Sequence, residues 1–294
     1  MRHRLVVIGG TAAGLSAASK AKRTDPELDV CVYERSGYVS YGSCGLPYYV
    51  GGLVRTEADL ITLTPEELSG KRGIRTHVRH EATGIDARKK IVHIRNLDAG
   101  ESFDVPYDSL VVATGASPVI PDIPGITSQG VFFLRTVEDG MALRKAVLAN
   151  RAGKAGLVCG GYIGLEMAEQ LAQNGMDVTL VEALPRLLPF LDEEYAALVR
   201  LELEKNGVRV LTNAAVAEVV NGHGTVSGVR TRDGVTVDAD IALVSVGVRP
   251  NSGLAAEAGL ALGVRNAIAV DETMKTSDAS IWACGECVQT VNLV

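Results

Sequence analysis

Along this chain, short unbroken apolar runs alternate with longer stretches in which apolar residues recur at helical spacing. The runs Leu5 to Ile8, Val30 to Glu34, Val178 to Glu182 and Ile241 to Gly247 are too short for buried helices and end on a glycine or an acid, so they predict strands buried on both faces. Ser109 to Gly115 is a further buried strand, closing in a Thr-Gly turn. Alanine-rich stretches running to Arg23 and through Gln173 predict helices packed on these strands, and polar helices are expected at Thr64 to Lys71 and Asp192 to Asn206, the latter capped by Gly207. Strictly alternating runs at Ala82 to Asp86 and Lys90 to Arg95, with a turn at Asp98-Ala-Gly100, predict an antiparallel insertion. Arg209 to Leu211 and Val235 to Ala239 flank a glycine hairpin, and Ala269 to Asp271 and Ile281 to Glu286 return to short-strand patterning. Strand and helix in alternation give an α/β protein with three-layer units.

Two strand-to-helix junctions are glycine-rich. The first, Gly9-Gly10-Thr11-Ala12-Ala13-Gly14, is followed by an acid, Glu34, at the end of the next strand, 20 positions after Gly14. The second, Cys159-Gly160-Gly161-Tyr162-Ile163-Gly164, is followed by Glu182, 18 positions after Gly164. Glycine lets the backbone approach a pyrophosphate at the helix N-terminus, and the acid accepts hydrogen bonds from an adenosine ribose. Neither turn is a full G-x-G-x-x-G: Thr11 stands at the middle glycine of one and Cys159 at the first glycine of the other. Two such junctions imply two bound dinucleotides, for which a flavin and a nicotinamide are the usual pair. A proline-rich crossing from Ser117-Pro118 to Pro124-Gly125 marks a boundary. The expected organisation is therefore two Rossmann-like domains, one inserted in the other: residues 1–117 begin the FAD-binding domain, 118–247 form the NAD(P)H-binding domain, and 248–294 return to the first.

The 294 residues suffice for two domains, and 47% hydrophobic content supports large buried sheets. A formal charge of −6 gives no basic footprint for nucleic acid or an anionic membrane surface. Leu5 to Ile8 is too short for a signal-peptide core, and no run approaches the roughly 20 apolar residues of a membrane span. A cytoplasmic protein is expected. Five cysteines form no pairwise framework and fit a reducing compartment. Cys31 and Cys159 read as small buried residues. Cys284-Gly-Glu-Cys287 spells C-x-x-C, but no second pair or suitably spaced histidine completes a metal site, so no metal is expected.

The fifth cysteine differs. Cys44 lies in Tyr38-Val-Ser-Tyr-Gly-Ser-Cys44-Gly-Leu-Pro-Tyr-Tyr-Val, flanked by glycines and tyrosines, where it opens a helix with Pro47 in the first turn. A lone thiol cannot store electrons as an internal disulfide, so its redox partner must be a small-molecule thiol or a sulfenate on the same sulfur.

Both glycine turns, Ala113-Thr-Gly115, Val246-Gly-Val-Arg-Pro-Asn251 and Thr276 to Glu286 occur in an order that resembles the FAD-dependent pyridine nucleotide-disulfide oxidoreductases over essentially the whole chain. Ser43-Cys44-Gly-Leu-Pro-Tyr48 resembles the single-cysteine branch of coenzyme A-disulfide reductases, NADH oxidases and NADH peroxidases. Oxidase and peroxidase members generally carry a histidine where this chain has Ala12, so the turn is more similar to the coenzyme A-disulfide reductase type. The resemblance implies an enzyme in which NAD(P)H reduces FAD, and Cys44 carries the electrons to a low-molecular-weight disulfide, persulfide or polysulfide. The alternatives are an NADH oxidase or peroxidase of the same branch, an electron-transfer reductase serving a small iron-sulfur protein, and a non-catalytic nucleotide-binding fragment.

By the same resemblance Gly9, Gly10, Thr11, Ala12, Ala13, Gly14, Glu34, Arg35, Ser43, Ala82, Thr114, Gly115, Arg135 and Glu286 belong to the cofactor sites, with Gly160, Gly161, Tyr162, Ile163, Gly164, Glu166, Glu182 and Gly247. Tyr162 matches the residue that covers the flavin until nicotinamide displaces it; on its residues alone it is equally a turn aromatic packed on the sheet. Lys20, Arg23 and Arg72 match contacts to coenzyme A phosphates, and Ser40 and Ser43 line the thiol end. As bare sequence, Ser16, Lys20 and Arg23 are a solvated helix face. Glu182 favours NADH, with Arg186 near enough to tolerate NADPH. Glu286 departs from the usual aspartate. The family continues past the point where this chain ends, with a flavin-contacting helix and a dimerisation domain of roughly a hundred residues. A homodimer is implied for the full-length form, and the given chain is expected to be partial.

Overall fold

The apolar runs become parallel strands because their Val, Ile and Leu side chains can be buried on both faces only inside a covered sheet. The computed structural model describes residues 2–290. It begins with β1 (Arg4–Ile8), α1 (Ala12–Thr24) and β2 (Asp29–Tyr33). A 3-10 turn at Ser43–Gly45 then leads into the short helix α2 (Leu46–Gly51). There follow α3 (Pro65–Arg72), β3 (Ile74–His77), β4 (His80–Asp86), β5 (Ile91–Asn96), β6 (Ser102–Pro106), β7 (Ser109–Val112) and β8 (Ala116–Pro118). The middle of the chain supplies β9 (Val131–Phe132), α4 (Val137–Ala149), β10 (Lys154–Val158), α5 (Tyr162–Gln173), β11 (Asp177–Val181), α6 (Glu193–Lys205) and β12 (Arg209–Leu211). It continues with β13 (Val216–Gly222), β14 (Thr225–Thr231), β15 (Thr236–Asp238) and β16 (Ile241–Val244), and β17 (Val248–Pro250), α7 (Gly253–Glu257) and β18 (Ile281–Ala283) complete the order.

By their contacts these elements form two units. The first comprises the chain up to Gly42, Ile61–Ser117 and the chain from Val248 onward; the second comprises Ser43–Leu60 and Pro118–Gly247. The sequence reading kept Ser43–Leu60 with the first unit. It packs with the second, because α2 buries Leu46, Tyr49 and Val50 and finds its neighbours in α4 and α5.

In the first unit a parallel sheet of order β18-β7-β1-β2-β3 is the central layer. Alternate side chains point to opposite faces. Leu5, Val7, Val30, Val32 and Val111 join Leu15 and Ala18 of α1 on one side. Val6, Ile8, Cys31, Tyr33, Leu110 and Val112 join Val92, Ile94 and Val105 of the antiparallel sheet β4-β5-β6 on the other. The second unit repeats the plan. Its parallel sheet has the order β12-β11-β10-β16-β9, and Val158, Val181, Ala242 and Val244 pack on Val219, Val226, Val229 and Val237 of the antiparallel sheet β13-β14-β15. In both units the glycine turn follows the central strand of the parallel sheet and the acid follows its neighbour.

Several expectations are corrected locally. The glycine hairpin is the turn His223-Gly224 of a three-stranded sheet, and two of its strands, β13 and β14, carry irregular register that breaks simple alternation. Ala269 to Asp271 forms no strand. Helix α4 escaped notice because Gly140 interrupts its pattern; Leu46 Cδ2 lies 3.1 Å from where a Cβ would stand, so a larger residue would crowd α2.

Candidate functional site

In the first unit the ends of β1, β2, β7 and β18 bring most of the expected flavin-site residues together. Gly9 has φ +107°, and a Cβ there would overlap Ala113 O; a Cβ on Gly14 would overlap Gly9 O. Those approaches fold the turn tightly enough to bring Thr114 and Gly115, which follow β7, beside it. The turn at Gly285, after β18, reaches the same place: a Cβ on Gly285 would stand 2.8 Å from Ala13 Cβ, so Glu286 emerges next to the first glycine turn with its side chain exposed. Asn251 locks Thr114 and Ser117. Its Nδ2 donates to Thr114 O (2.9 Å), Thr114 Oγ1 donates to Asn251 O (2.6 Å) and Ser117 Oγ donates to Asn251 Oδ1 (2.7 Å).

The acid after each neighbouring strand is held alike. Glu34 Oε2 accepts from Gly10 N (2.7 Å) and Oε1 from Ser36 N (2.8 Å). Glu182 Oε2 accepts from Gly160 N (2.6 Å) and Oε1 from Leu184 N (2.7 Å). Each carboxylate thus ties its strand end to its glycine turn, with lone pairs left for a ribose hydroxyl. Glu34 is half-buried and Glu182 only 5% exposed.

The N-terminus of α1 receives no side-chain cap from Thr11, and that of α5 none from Gly161. By contrast α3 and α4 carry complete capping boxes, Thr64 with Glu67 and Thr136 with Asp139. Among the described residues the N-cap side chains of α1 and α5, like those of α6 and α7, give no cap bond; at α1 and α5 the uncapped first turn stands beside glycines, a donor set that fits a pyrophosphate. In the second unit Cys159, at the position equivalent to Gly9, has φ +97°, a conformation costly for a side chain. A Cβ on Gly164 would overlap Cys159 O, the counterpart of the Gly14 contact. Tyr162 opens α5 with Ile163 beside it; its exposed ring lies against exposed Phe190, centroids 5.2 Å apart. Gly247 follows β16 with φ +113° and accepts from Val119 N (2.9 Å).

Four further expected residues are placed by their own elements. Ala82 sits on β4 in the core cluster that includes Tyr33 and Ile94. Arg35 is exposed after Glu34. Arg135 precedes α4, its backbone N donating to Asp139 Oδ2 (3.0 Å). Glu166 lines a cavity of about 660 Å³ with Leu165, Glu169, Val199 and Leu203, between α5 and α6; burial and the Glu169 charge push its carboxyl up.

Lys20, Arg23 and Arg72 are exposed, and among the described residues no ion pair engages their side chains. Gly73, the C-cap of α3, lies against Lys22, 3.1 Å from its Cε to a Cβ position, which puts Arg72 at the same end of the unit as Arg23. Ser40, at φ +50°, donates from its backbone N to Gly10 O (3.0 Å), so it adjoins the first glycine turn.

Cys44 is exposed in the 3-10 turn with Ser43, directly before α2. Of the five cysteines it alone is exposed. Cys284 is pushed up to about 11 by burial, with Cys287 adding to the shift, and Cys287 Sγ donates to Cys284 O (3.2 Å). Both thiols are free. Among the described residues no three His, Cys, Asp or Glu side chains converge on a metal position, and no helix is long and apolar enough to cross a membrane.

Sequence reasoning missed the side chains that hold α2. Arg144 of α4 places its guanidinium 4.5 Å from the Tyr49 ring centroid and donates to Val54 O (3.2 Å), and Asn174 at the C-cap of α5 donates to Gly51 O (2.8 Å). Phe190 was missed too. Its only sequence signal is an aromatic residue in the apolar, proline-containing stretch Ala183 to Leu191 that follows Glu182.

A Methanocaldococcus jannaschii protein named NADH oxidase is 39% identical over 293 residues, 99% of this chain and 64% of its own length. A Pyrococcus abyssi protein named NAD(P)H sulfur oxidoreductase (CoA-dependent) is 36% identical, matching all of this chain and 64% of its own. The solved structure of a NAD-dependent persulfide reductase from A. fulgidus superposes with a TM-score of 0.95 at 40% identity, covering 99% of this chain and 54% of that one. The chain spans about 64% of the length of these curated relatives. Residues 3–294 match the family model described as pyridine nucleotide-disulphide oxidoreductase, and the chain belongs to that family.

Proposed function

We propose that this chain is the nucleotide-binding part of an NAD(P)H oxidoreductase that reduces a low-molecular-weight disulfide, persulfide or polysulfide of the coenzyme A type through Cys44. The observation that carries the reading is one exposed thiol on a chain with two matching dinucleotide turns. FAD held at the first turn supplies a two-electron acceptor for hydride from NAD(P)H. The orphan N–H groups of α1 bind its pyrophosphate, Glu34 its ribose, and Glu286 its ribityl side. The orphan N–H groups of α5 and the carboxylate of Glu182 hold the nicotinamide dinucleotide, with NADH preferred because a 2′-phosphate would meet that carboxylate.

At the thiol, Cys44 Sγ attacks one sulfur of the disulfide as thiolate, forms a mixed disulfide and releases the other half as a thiolate. Two electrons from NAD(P)H then cleave the mixed disulfide, returning the Cys44 thiolate and freeing the second thiol. Lys20, Arg23 and Arg72 are exposed and would offer positive charge to the substrate's phosphates, and the family resemblance assigns Ser40 and Ser43 to its thiol end. Supporting this class over oxygen or peroxide reduction, Ala12 is exposed in the first glycine turn and brings no acid or base there. We place the enzyme in the cytoplasm and its full-length form in a homodimer.

Anaerobic NADH titration of the FAD-reconstituted chain tests the reading. Two equivalents per flavin, with a long-wavelength thiolate charge-transfer band that Cys44→Ser removes together with disulfide reduction, support it. One equivalent without the band, and disulfide reduction that survives in Cys44→Ser, refute it and favour electron transfer to a protein acceptor. Failure to hold flavin makes the given chain a binding fragment only.

A further inference from the structure

Helix α2 spans six residues, Leu46–Gly51, and a helix of that length has no stability of its own in water. The orientation of the turn before it, which carries Cys44, is therefore set by whatever α2 leans on. Two helices supply that support. From α5, the Asn174 side-chain amide uses both N–H groups at once, donating to Gly51 O (2.8 Å) at the C-terminal end of α2 and to Gln170 O (2.8 Å) in its own helix. From α4, the Arg144 guanidinium lies over Tyr49 and donates to Val54 O, just beyond α2. The seams are close: a Cβ on Gly51 would overlap the Gln170 amide, and Gly140 leaves room for Leu46. Gln170 is 1% exposed with neither amide atom hydrogen-bonded, so the α2–α5 seam accepts an unsatisfied polar group to keep this packing.

We propose that Arg144 and Asn174 are positioning residues for Cys44: they fix α2, and through it the thiol, from helices of the second unit. Helix α5 begins at the second glycine turn and ends at the Asn174 clamp. One rigid element therefore connects the nicotinamide turn to the cysteine helix. The inference rests on Cys44 being the redox thiol, and its test is arranged so that the two ideas fail separately.

The variants are Asn174→Asp, which is isosteric but turns acceptors toward two carbonyls, and Arg144→Met, with Arg144→Lys as the conservative rescue and Lys145→Ala as a neighbouring control on α4. In the full chain, amide exchange across residues 46–52 and the rate of Cys44 alkylation by iodoacetamide at one fixed pH are measured without turnover. In the FAD-reconstituted chain, kcat for disulfide reduction is measured against KM for NADH. Asn174→Asp and Arg144→Met are expected to speed exchange in α2 at least tenfold, to change the alkylation rate at least threefold and to lower kcat about tenfold or more with KM for NADH within twofold. Arg144→Lys restores most of each, and Lys145→Ala changes none. Unchanged exchange and alkylation in both clamp variants overturns the proposal, as does faster exchange with alkylation and kcat intact, which would make the clamp structural only. Disulfide reduction that survives in Cys44→Ser sinks the function reading instead, while exchange and alkylation still decide whether Arg144 and Asn174 position the thiol.

Discussion

Replacing Glu182 with glutamine isolates what the acid after β11 contributes before any nucleotide binds. In the wild-type chain its two carboxylate oxygens accept N–H bonds at 2.6 and 2.7 Å, in a site only 5% exposed. The amide keeps one acceptor and turns an NH2 group against the other N–H. A hydrogen bond to a charged group contributes about 1.5–3 kcal/mol and a neutral one about 0.5–1.5 kcal/mol, so losing one and weakening the other should cost roughly 2–4 kcal/mol. At a urea dependence of about 2 kcal/mol per molar, the midpoint falls by roughly 1–2 M. The chain has a single tryptophan, Trp282, on β18 of the first unit, so its fluorescence follows that unit while far-UV circular dichroism follows both. Glu182→Gln should move the part of the dichroism transition that fluorescence does not see. Glu34→Gln removes the matching bonds in the first unit and should move the fluorescence transition, by somewhat less because Glu34 is less buried. A midpoint change below roughly 0.3 M in both variants would refute the view that these acids hold the turns together.

Gly14→Ala and Gly164→Ala press a new Cβ into a backbone carbonyl, that of Gly9 or Cys159, and should each cost about 3 kcal/mol or more; calorimetry should show the first weakening FAD binding and the second NADH binding. Native iodoacetamide labelling at neutral pH should modify one thiol per chain, Cys44 by mass spectrometry, since burial raises Cys31, Cys159 and Cys284. Tyr107, 4% exposed, is pushed up to about 12 by burial, with the Asp278 charge adding to it. A raised folded-state value keeps its stabilisation whole below about pH 10 and loses it as pH climbs toward 12, up to roughly 2.7 kcal/mol, which denaturant melts across that window and tyrosinate absorbance should register.

The parallel strands, both glycine turns and their acids were legible because each is written in contiguous residues: an unbroken apolar run, a glycine where backbone meets backbone, an acid one strand later. Cys44 was legible as the candidate thiol, which the structure leaves exposed, but its placement was not. Nothing local to Ser43–Leu60 says that its apolar residues belong on α4 and α5, because that preference is distributed over Gly140, Arg144, Gln170 and Asn174, far along the chain. Glu34 and Glu182 were read as ribose acceptors, and their bonds to Gly10, Ser36, Gly160 and Leu184 were invisible, since they depend on how each strand end curls back over its turn. Asn251 appeared in a recognised motif, yet its grip on Thr114 and Ser117 joins residues more than a hundred positions apart.

If the uncapped N-termini of α1 and α5 hold the dinucleotides as proposed, nucleotide is a component of folding as well as of chemistry. In α3 and α4 threonine and an acid finish the first turn from within; at α1 and α5 a bound pyrophosphate would finish it from outside. On the proposed reading, each dinucleotide adds stability that grows with its concentration, about 2.7 kcal/mol at a hundred times its Kd. Supply of flavin and nicotinamide would then set how long the folded protein survives, and mutations that loosen either turn should be rescued by an excess of the matching nucleotide.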